Sequence, residues 1–409
     1  MNYGLIGGKL SHSYSKVIHQ FLGNTSYELM ERSPWELDEF INAGKFRGIN
    51  VTIPYKQDVM PYCALSETAH RIGSVNTIVN WEGKLYGHNT DYDGFLYMAK
   101  KASVDFRDKK VLILGSGGTS KTALCVANDS GAKEIIIVSR NSENNYQNIE
   151  KHHDSRIIIN TTPVGMHPEN DGRPIEVSAF KRLTNVIDVI YNPLKTRLLL
   201  DAQKVGINFI NGLSMLVAQA WFSHKLFFDI ICEPAEDAEI IEKVLKKTEK
   251  HFQNIVLIGM PGCGKTTIGR ELALRLKLKF IDTDAEIEKR IGISASDIIK
   301  EGGERFFRKI ESDVISKTAK ETQQVIATGG GSVMSQLNRD TIIQNGIILF
   351  LDRDISELSS ANRPLSKDFN SLSQLYAERH PIYSALCDKK IIVSSALEDN
   401  ISKILERIK

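Results

Sequence analysis

The sequence predicts an α/β protein with mostly parallel sheets, divided into more than one domain. Three observations carry this reading. Apolar, strand-like runs alternate with helical patterns nearly throughout the chain. Two glycine-rich loops, inside "KKVLILGSGGTSKTAL" and "NIVLIGMPGCGKTTIG", each follow a strand-like run and open a helix. A length of 409 residues suggests two or three domains. Apolar content of 42% is ordinary for globular cores, and a net charge of +2 gives no reason to expect nucleic acid.

The first elements carry polar groups that packing does not explain. "LSHSYS" at 10–15, "GINVTIPYK" at 48–56, "GSVNT" at 73–77 and "GHNTDYDG" at 87–94 place hydroxyls, amides, a lysine and an aspartate at the ends of short apolar runs. A small polyhydroxylated acid needs such groups. Taken singly, each also has a local reading: Ser13 and Ser15 as turn or cap residues, Asn76 in a turn, Asp91 as a helix N-cap.

The next strand ends in Gly115-x-Gly117-Gly118, a dinucleotide-type turn. The strand after it, "EIIIVSRN", ends near Arg140, about where such folds place the residue that reads the ribose. No Asp or Glu stands there, and an arginine suits a 2′-phosphate, hence NADP(H). The competing reading is a surface arginine at a strand end. The best boundary in the chain is 233–251, "EPAEDAEIIEKVLKKTEKH", acidic first and basic last. That order predicts a solvated linker helix.

Beyond it, Gly259-x-x-x-x-Gly264-Lys265-Thr266 is a phosphate-binding loop in its required strand–loop–helix setting. Backbone N–H groups around Gly262 and Gly264, with Thr267, converge on phosphate oxygens at the helix N-terminus. Lys265 reaches the β and γ phosphates of ATP, and the Thr266 hydroxyl ligates Mg2+. "FIDTDAEIE" then ends a strand with Asp282 and Asp284 two residues apart. At the carboxyl end of a parallel strand, the two can serve a magnesium shell and an acceptor hydroxyl respectively. A plain N-cap at Asp284 is the alternative.

Five scattered cysteines lack paired or metal-ligand spacing, and the chain opens on the strand-like "NYGLIG". These features give the expectation of a reducing cytoplasm and no leader. The most apolar stretch, "INFINGLSMLVAQAWF", is too short and too interrupted to cross a bilayer, so no membrane segment is expected.

Eight stretches in order resemble shikimate dehydrogenase over about the first 230 residues: "LSHSYS", "NVTIPYK", "GSVNT", "GHNTDYDG", "LGSGGTSK", "NTTPVGM", "DVIYNPLKT" and "NGLSMLVAQA". The resemblance implies that Ser13, Ser15, Thr52, Asn76, Tyr191 and Gln219 hold the substrate and that Lys56 and Asp91 form the catalytic pair. It also implies a substrate domain at 1–88 completed by a helix at 213–232, and a Rossmann-type NADP domain at 89–212. Lys9 and Lys16 replace common prolines, and "VSRNS" replaces the usual Asn-Arg-Thr.

The chain from residue 252 to 409 resembles shikimate kinase, a P-loop domain with a parallel sheet and helices on both faces. By that resemblance Asp282 lies near the metal, Asp284 contacts the hydroxyl under attack, and Arg308 and Arg379 clamp a carboxylate. A helix salt bridge of Arg308 with Glu304 or Glu311 is its alternative role. Arg363 in "ANRPL" serves the transferring phosphoryl group from a lid, and the triple-glycine turn around Gly330 approaches the substrate. Cys263 replaces the commoner serine, and the lid lacks a second arginine.

Together the resemblances imply reduction of 3-dehydroshikimate by NADPH and then phosphorylation of shikimate by ATP with Mg2+, consecutive steps towards chorismate. Two alternatives stand: quinate with NAD in the first half, or a half that has lost catalysis. Intact Lys56, Asp91, Lys265 and Asp284 argue against the second.

Overall fold

The apolar runs YGLIG, GINV and TIVNW become strands Tyr3–Gly7, Gly48–Val51 and Thr77–Trp81 of a six-stranded mixed sheet. In the computed structural model, which describes residues 2–11, 13–358 and 369–408, its order is Tyr27–Glu31, Tyr3–Gly7, Gly48–Val51, Thr77–Trp81, Lys84–His88, Ala64–Leu65. Thr77–Trp81 runs antiparallel to both neighbours. The hairpin that reverses the chain turns on Glu82 and Gly83, at φ 51° and 84°. Positive φ at both central residues is the primed turn whose twist matches a two-residue hairpin.

This topology gathers the polar motifs. Strands Tyr3–Gly7, Gly48–Val51 and Lys84–His88 end where Thr77–Trp81 begins, with Ile6 opposite Val51, Asn50 opposite Thr77, and Thr77 opposite His88. The segments carrying Ser13, Thr52, Lys56, Asn76 and Asp91 therefore leave the sheet along one edge.

The second sheet is wholly parallel, in the order Asn208–Ile210, Asn185–Asp188, Ile157–Asn160, Lys110–Leu114, Glu134–Val138. Val111, Leu112, Ile113 and Leu114 are all fully buried, as a strand covered on both faces requires. The chain passes from Lys110–Leu114 to the edge strand on one side, then returns to Ile157–Asn160 on the other. That reversal opens a crevice at the carboxyl ends of the strands, and the glycine loop at 115–118 lies there.

Helices Asp91–Lys101 and Leu213–Phe228 cross closely. A Cβ at Gly94 would lie 2.7 Å from the Met215 carbonyl oxygen, so only glycine permits this contact. Helix Leu213–Phe228 also returns to the first sheet, where the Phe227 ring packs on Gly48 and on the Tyr3 ring at 5.4 Å.

Helix Pro234–Phe252 corrects the expectation of a solvated linker. Its Asp237 accepts from Trp221 Nε1 at 2.7 Å and Lys225 Nζ at 2.9 Å, and its Glu242 accepts from Tyr97 at 2.6 Å and Lys101 at 2.6 Å. Ile241, Val244 and Leu245 are buried. Charge order alone missed this apolar stripe. The chain divides into two compact units, Met1–Lys250 and His251–Lys409, and most of this helix belongs to the first.

The second unit is a five-stranded parallel sheet in the order Lys279–Asp282, Gln324–Ala327, Asn254–Ile258, Gly346–Asp352, Lys389–Ile392. Its central strand Asn254–Ile258 is fully buried and feeds the phosphate-loop sequence into helix Lys265–Leu276. Among the described residues, no helix is long and apolar enough to cross a membrane.

Candidate active sites

At the edge of the first sheet, Lys56 Nζ stands 2.5 Å from Asp91 Oδ2. Asn76 Nδ2 donates to the other oxygen, Asp91 Oδ1, at 3.0 Å. Asp91 is the first residue of helix Asp91–Lys101, where the helix dipole favours a carboxylate. The cap position is Thr90 and carries no side-chain cap bond, so the Asp91 carboxylate is left to Lys56 and Asn76. Gln219 Oε1 lies 3.5 Å from Asn76 Nδ2. Ser13 Oγ accepts from the Ser15 backbone N–H at 3.3 Å, and the Tyr191 ring lies 5.1 Å from that of Tyr14. Burial pushes the Tyr191 hydroxyl above its ordinary range, so it stays a neutral donor.

The glycine loop of the second sheet borders a cleft of about 590 Å³ lined by Gly115, Gly117, Ser139, Arg140, Tyr146, Thr161 and Arg173, among others. Gly115 has φ 103°, and a Cβ on it would meet Thr161 Oγ1 at 2.8 Å. At Gly117, the helix N-cap, and Gly118 a Cβ would meet nothing within 4 Å, so backbone lies open at a helix N-terminus, which suits a diphosphate. Gly118 is the first residue of helix Gly118–Asp129. Arg140 shares the cleft with the glycines, an arrangement that fits a cofactor bearing a 2′-phosphate.

In the second unit, a cleft of about 460 Å³ brings together Gly262, Gly264, Lys265, Thr266, Thr267, Asp282, Asp284, Arg308, Gly330 and Arg379. Lys265 Nζ donates to the Gly259 and Met260 carbonyls at 2.8 and 2.9 Å, curling over its own loop. Thr266 Oγ1 donates to Asp282 Oδ2 at 2.6 Å. The N-cap of helix Thr283–Ile291 is Asp282, whose Oδ1 accepts from the Asp284 backbone N–H at 3.0 Å. Asp284 therefore does not cap the helix. Burial, helped by the negative charges of Asp282 and Glu311, pushes its carboxyl up to about 6.

Arg308 makes both anticipated helix ion pairs, to Glu304 at 3.0 Å and Glu311 at 2.9 Å, while still lining the cleft. Glu311 is only 1% exposed and also accepts from Ser332 at 2.7 Å. Arg379 is 6% exposed, and its Nε has no hydrogen-bond partner among the described residues. A buried, unpartnered guanidinium N–H in a cleft fits an incoming carboxylate. The triple-glycine turn threads between side chains: a Cβ at Gly329 would meet Asp284 Oδ1 at 2.6 Å, and one at Gly331 would meet Arg308 Nη2 at 2.4 Å.

The sequence shares 39% identity over 238 residues with the NADP(+) shikimate dehydrogenase of Clostridium beijerinckii, covering 53% of this chain and 88% of that one. The chain belongs to the shikimate dehydrogenase family. The family model of the shikimate dehydrogenase substrate binding domain matches residues 5–78, and that of shikimate kinase matches residues 261–409. One polypeptide thus joins a dehydrogenase half to a kinase half. Shikimate dehydrogenase 1 from Peptoclostridium difficile superposes with a TM-score of 0.55 at 36% identity, covering 61% of this chain and 99% of that one. A chorismate mutase/shikimate 5-dehydrogenase fusion from Clostridium acetobutylicum gives 0.56 at 36% identity, with 60% and 97% covered.

The dehydrogenase half unites Lys56, Asp91, Asn76 and Gln219 through direct contacts, while Ser13, Ser15 and Thr52 share their sheet edge. In the kinase half, Arg363 lies outside the described residues. Among the described residues, no group of three His, Cys, Asp or Glu side chains is placed to hold a metal ion. The Thr266–Asp282 pair beside the phosphate loop fits a magnesium ion held largely by nucleotide and water. Tyr146 and Arg173 of the cofactor cleft had no sequence motif to announce them. A hydroxyl cluster behind Asn76 was likewise missed: Thr77, Thr90 and Ser223 are buried together with Asn50.

Proposed function

We propose that this chain reduces 3-dehydroshikimate to shikimate with NADPH and then phosphorylates shikimate at its 3-hydroxyl with ATP and Mg2+. The observation that carries the first step is the Lys56–Asp91–Asn76 relay. Reduction of a ketone builds negative charge on its oxygen, and a positioned ammonium can both stabilise that charge and deliver a proton. When bound, NADPH supplies the hydride. Asp91 orients Lys56 through one oxygen, and Asn76 fixes the other. Ser13, Ser15, Thr52, Tyr191 and Gln219 hold the carboxylate and hydroxyls of the acid.

For the second step, Asp284 accepts the hydrogen bond, and then the proton, of the attacking hydroxyl. Arg308 and Arg379 anchor the carboxylate, and Lys265 leaves its loop carbonyls for the phosphates. Thr266 and Asp282 hold the metal, while Arg363 neutralises charge on the transferring phosphoryl group. The test is a single mixture of the protein, 3-dehydroshikimate, NADPH and Mg-ATP. Shikimate 3-phosphate accumulates if the reading is right, and its absence with both cofactors present overturns it. Offering quinate with NAD+, or the ketone 3-dehydroquinate with NADH, in a parallel assay separates this reading from quinate dehydrogenation with NAD.

A further inference from the structure

The amide of Asn76 is the piece that touches Asp91, and which end of an amide faces where is set by its partners. Its Oδ1 accepts from the Thr90 backbone N–H at 2.8 Å, a group that can only donate, and from the Thr77 hydroxyl at 3.0 Å. The amide is thereby turned so that Nδ2 faces Asp91 Oδ1 at 3.0 Å and Thr90 Oγ1 at 3.0 Å. Behind it, Ser223 Oγ lies 2.8 Å from Thr77 Oγ1 and 2.9 Å from Thr90 Oγ1, and accepts from Asn50 Nδ2 at 2.8 Å. Ser223 also stands one helical turn beyond Gln219, close enough for its hydroxyl to reach the Gln219 carbonyl at 2.9 Å.

Thr77 and Ser223 are both fully buried, and Asn76 and Thr90 are each 3% exposed. Water therefore does not replace a hydroxyl removed here, and each loss leaves a buried polar partner unmade. We propose that Thr77 and Ser223 are positioning residues for ketone reduction: they lock the Asn76 amide so that it holds Asp91, with Asp91 in turn aligned on Lys56. This inference rests on the reading that Lys56 and Asp91 carry the reduction.

The test uses the full chain. Thr77→Val lowers kcat for 3-dehydroshikimate reduction about tenfold, the effect of one buried hydrogen bond left unmade, with KM for NADPH and the kinase rate unchanged. Thr77→Ser, which keeps the hydroxyl, restores kcat. In an Asp91→Asn background Thr77→Val has no further effect on the residual rate, because residues acting through one another are not additive. A kcat unaltered by Thr77→Val, or losses that multiply with Asp91→Asn, overturns the proposal. If Thr77→Val unfolds the dehydrogenase half, Ser223→Ala takes its place with the same outcomes. Full reduction by Lys56→Ala refutes the parent reading instead, and is scored separately.

Discussion

Lys56 and Asp91, 35 positions apart, meet at 2.5 Å because strands Gly48–Val51 and Lys84–His88 deliver their ends to the same sheet edge. Lys56→Ala is expected to lower ketone reduction by about 10²- to 10⁴-fold, the usual range for a lost general acid. Phosphorylation of added shikimate should be unchanged. Separate assays of the two reactions on one preparation check this, and full reductase activity in the variant removes Lys56 from its role.

Arg140 shares its cleft with Gly115 and Gly117, and a charge-assisted contact to a 2′-phosphate is worth about 1.5 to 3 kcal/mol. Arg140→Ala should weaken NADPH by about ten- to a hundredfold and NADH far less. Titrating both cofactors against the protein decides it. Equal weakening would make the arginine structural.

Much of this was legible because the chemistry is local in the chain. The phosphate loop, the Asp282/Asp284 pair and the Gly115 turn are each one strand end running into one helix, so a few consecutive residues encode them. What escaped reading is tertiary. Ser223 reaches Thr77 across 146 positions and Asn50 across 173, from a helix whose apolar sequence suggests only packing. The docking of Pro234–Phe252 depends on where Tyr97, Lys101 and Trp221 lie, which no linker composition records. That Asp282 caps the following helix was not legible, because a strand end and a cap look alike when the strand's last residue does both jobs.

Asp284 gives a pH prediction. Its carboxyl is pushed up to about 6, first by burial and then by Asp282 and Glu311, against an ordinary value near 4. With ATP and shikimate saturating, the kinase rate should fall as pH drops through about 6 and the group takes up a proton. For stability the sign is opposite to that of a salt-bridged acid. A raised folded value contributes stability at low pH, and this is lost as pH rises from about 4 through about 6. Asp284→Asn should therefore raise the unfolding temperature of the kinase half by a few degrees at pH 8 and hardly at pH 4, while abolishing phosphoryl transfer. Calorimetry at the two pH values tests this, and an equal shift at both would show that the charge of Asp284 is not what burial penalises.

The join between the halves gives the last prediction. The compact units part at Lys250 and His251, and helix Pro234–Phe252 is held to the first unit through Asp237 and Glu242. A fragment of residues 1–250 should fold and reduce 3-dehydroshikimate, and one of residues 251–409 should fold and phosphorylate shikimate, with Lys265→Ala silencing only the second. Cutting ahead of the helix has a different expected outcome. A fragment of residues 1–232 loses the partners of Trp221, Lys225, Tyr97 and Lys101 and uncovers the apolar surface that Ile241, Val244 and Leu245 bury. Burying such a side chain is worth about 1.5 to 3 kcal/mol, so three of them are a large share of a domain's typical 5 to 15 kcal/mol. That shorter fragment should melt well below the 1–250 fragment or be recovered insoluble. Thermal melts of the two, side by side, settle the matter: equal stability would mean that the helix is the solvated linker its charges suggest, and that its hydrogen bonds contribute little to the dehydrogenase half.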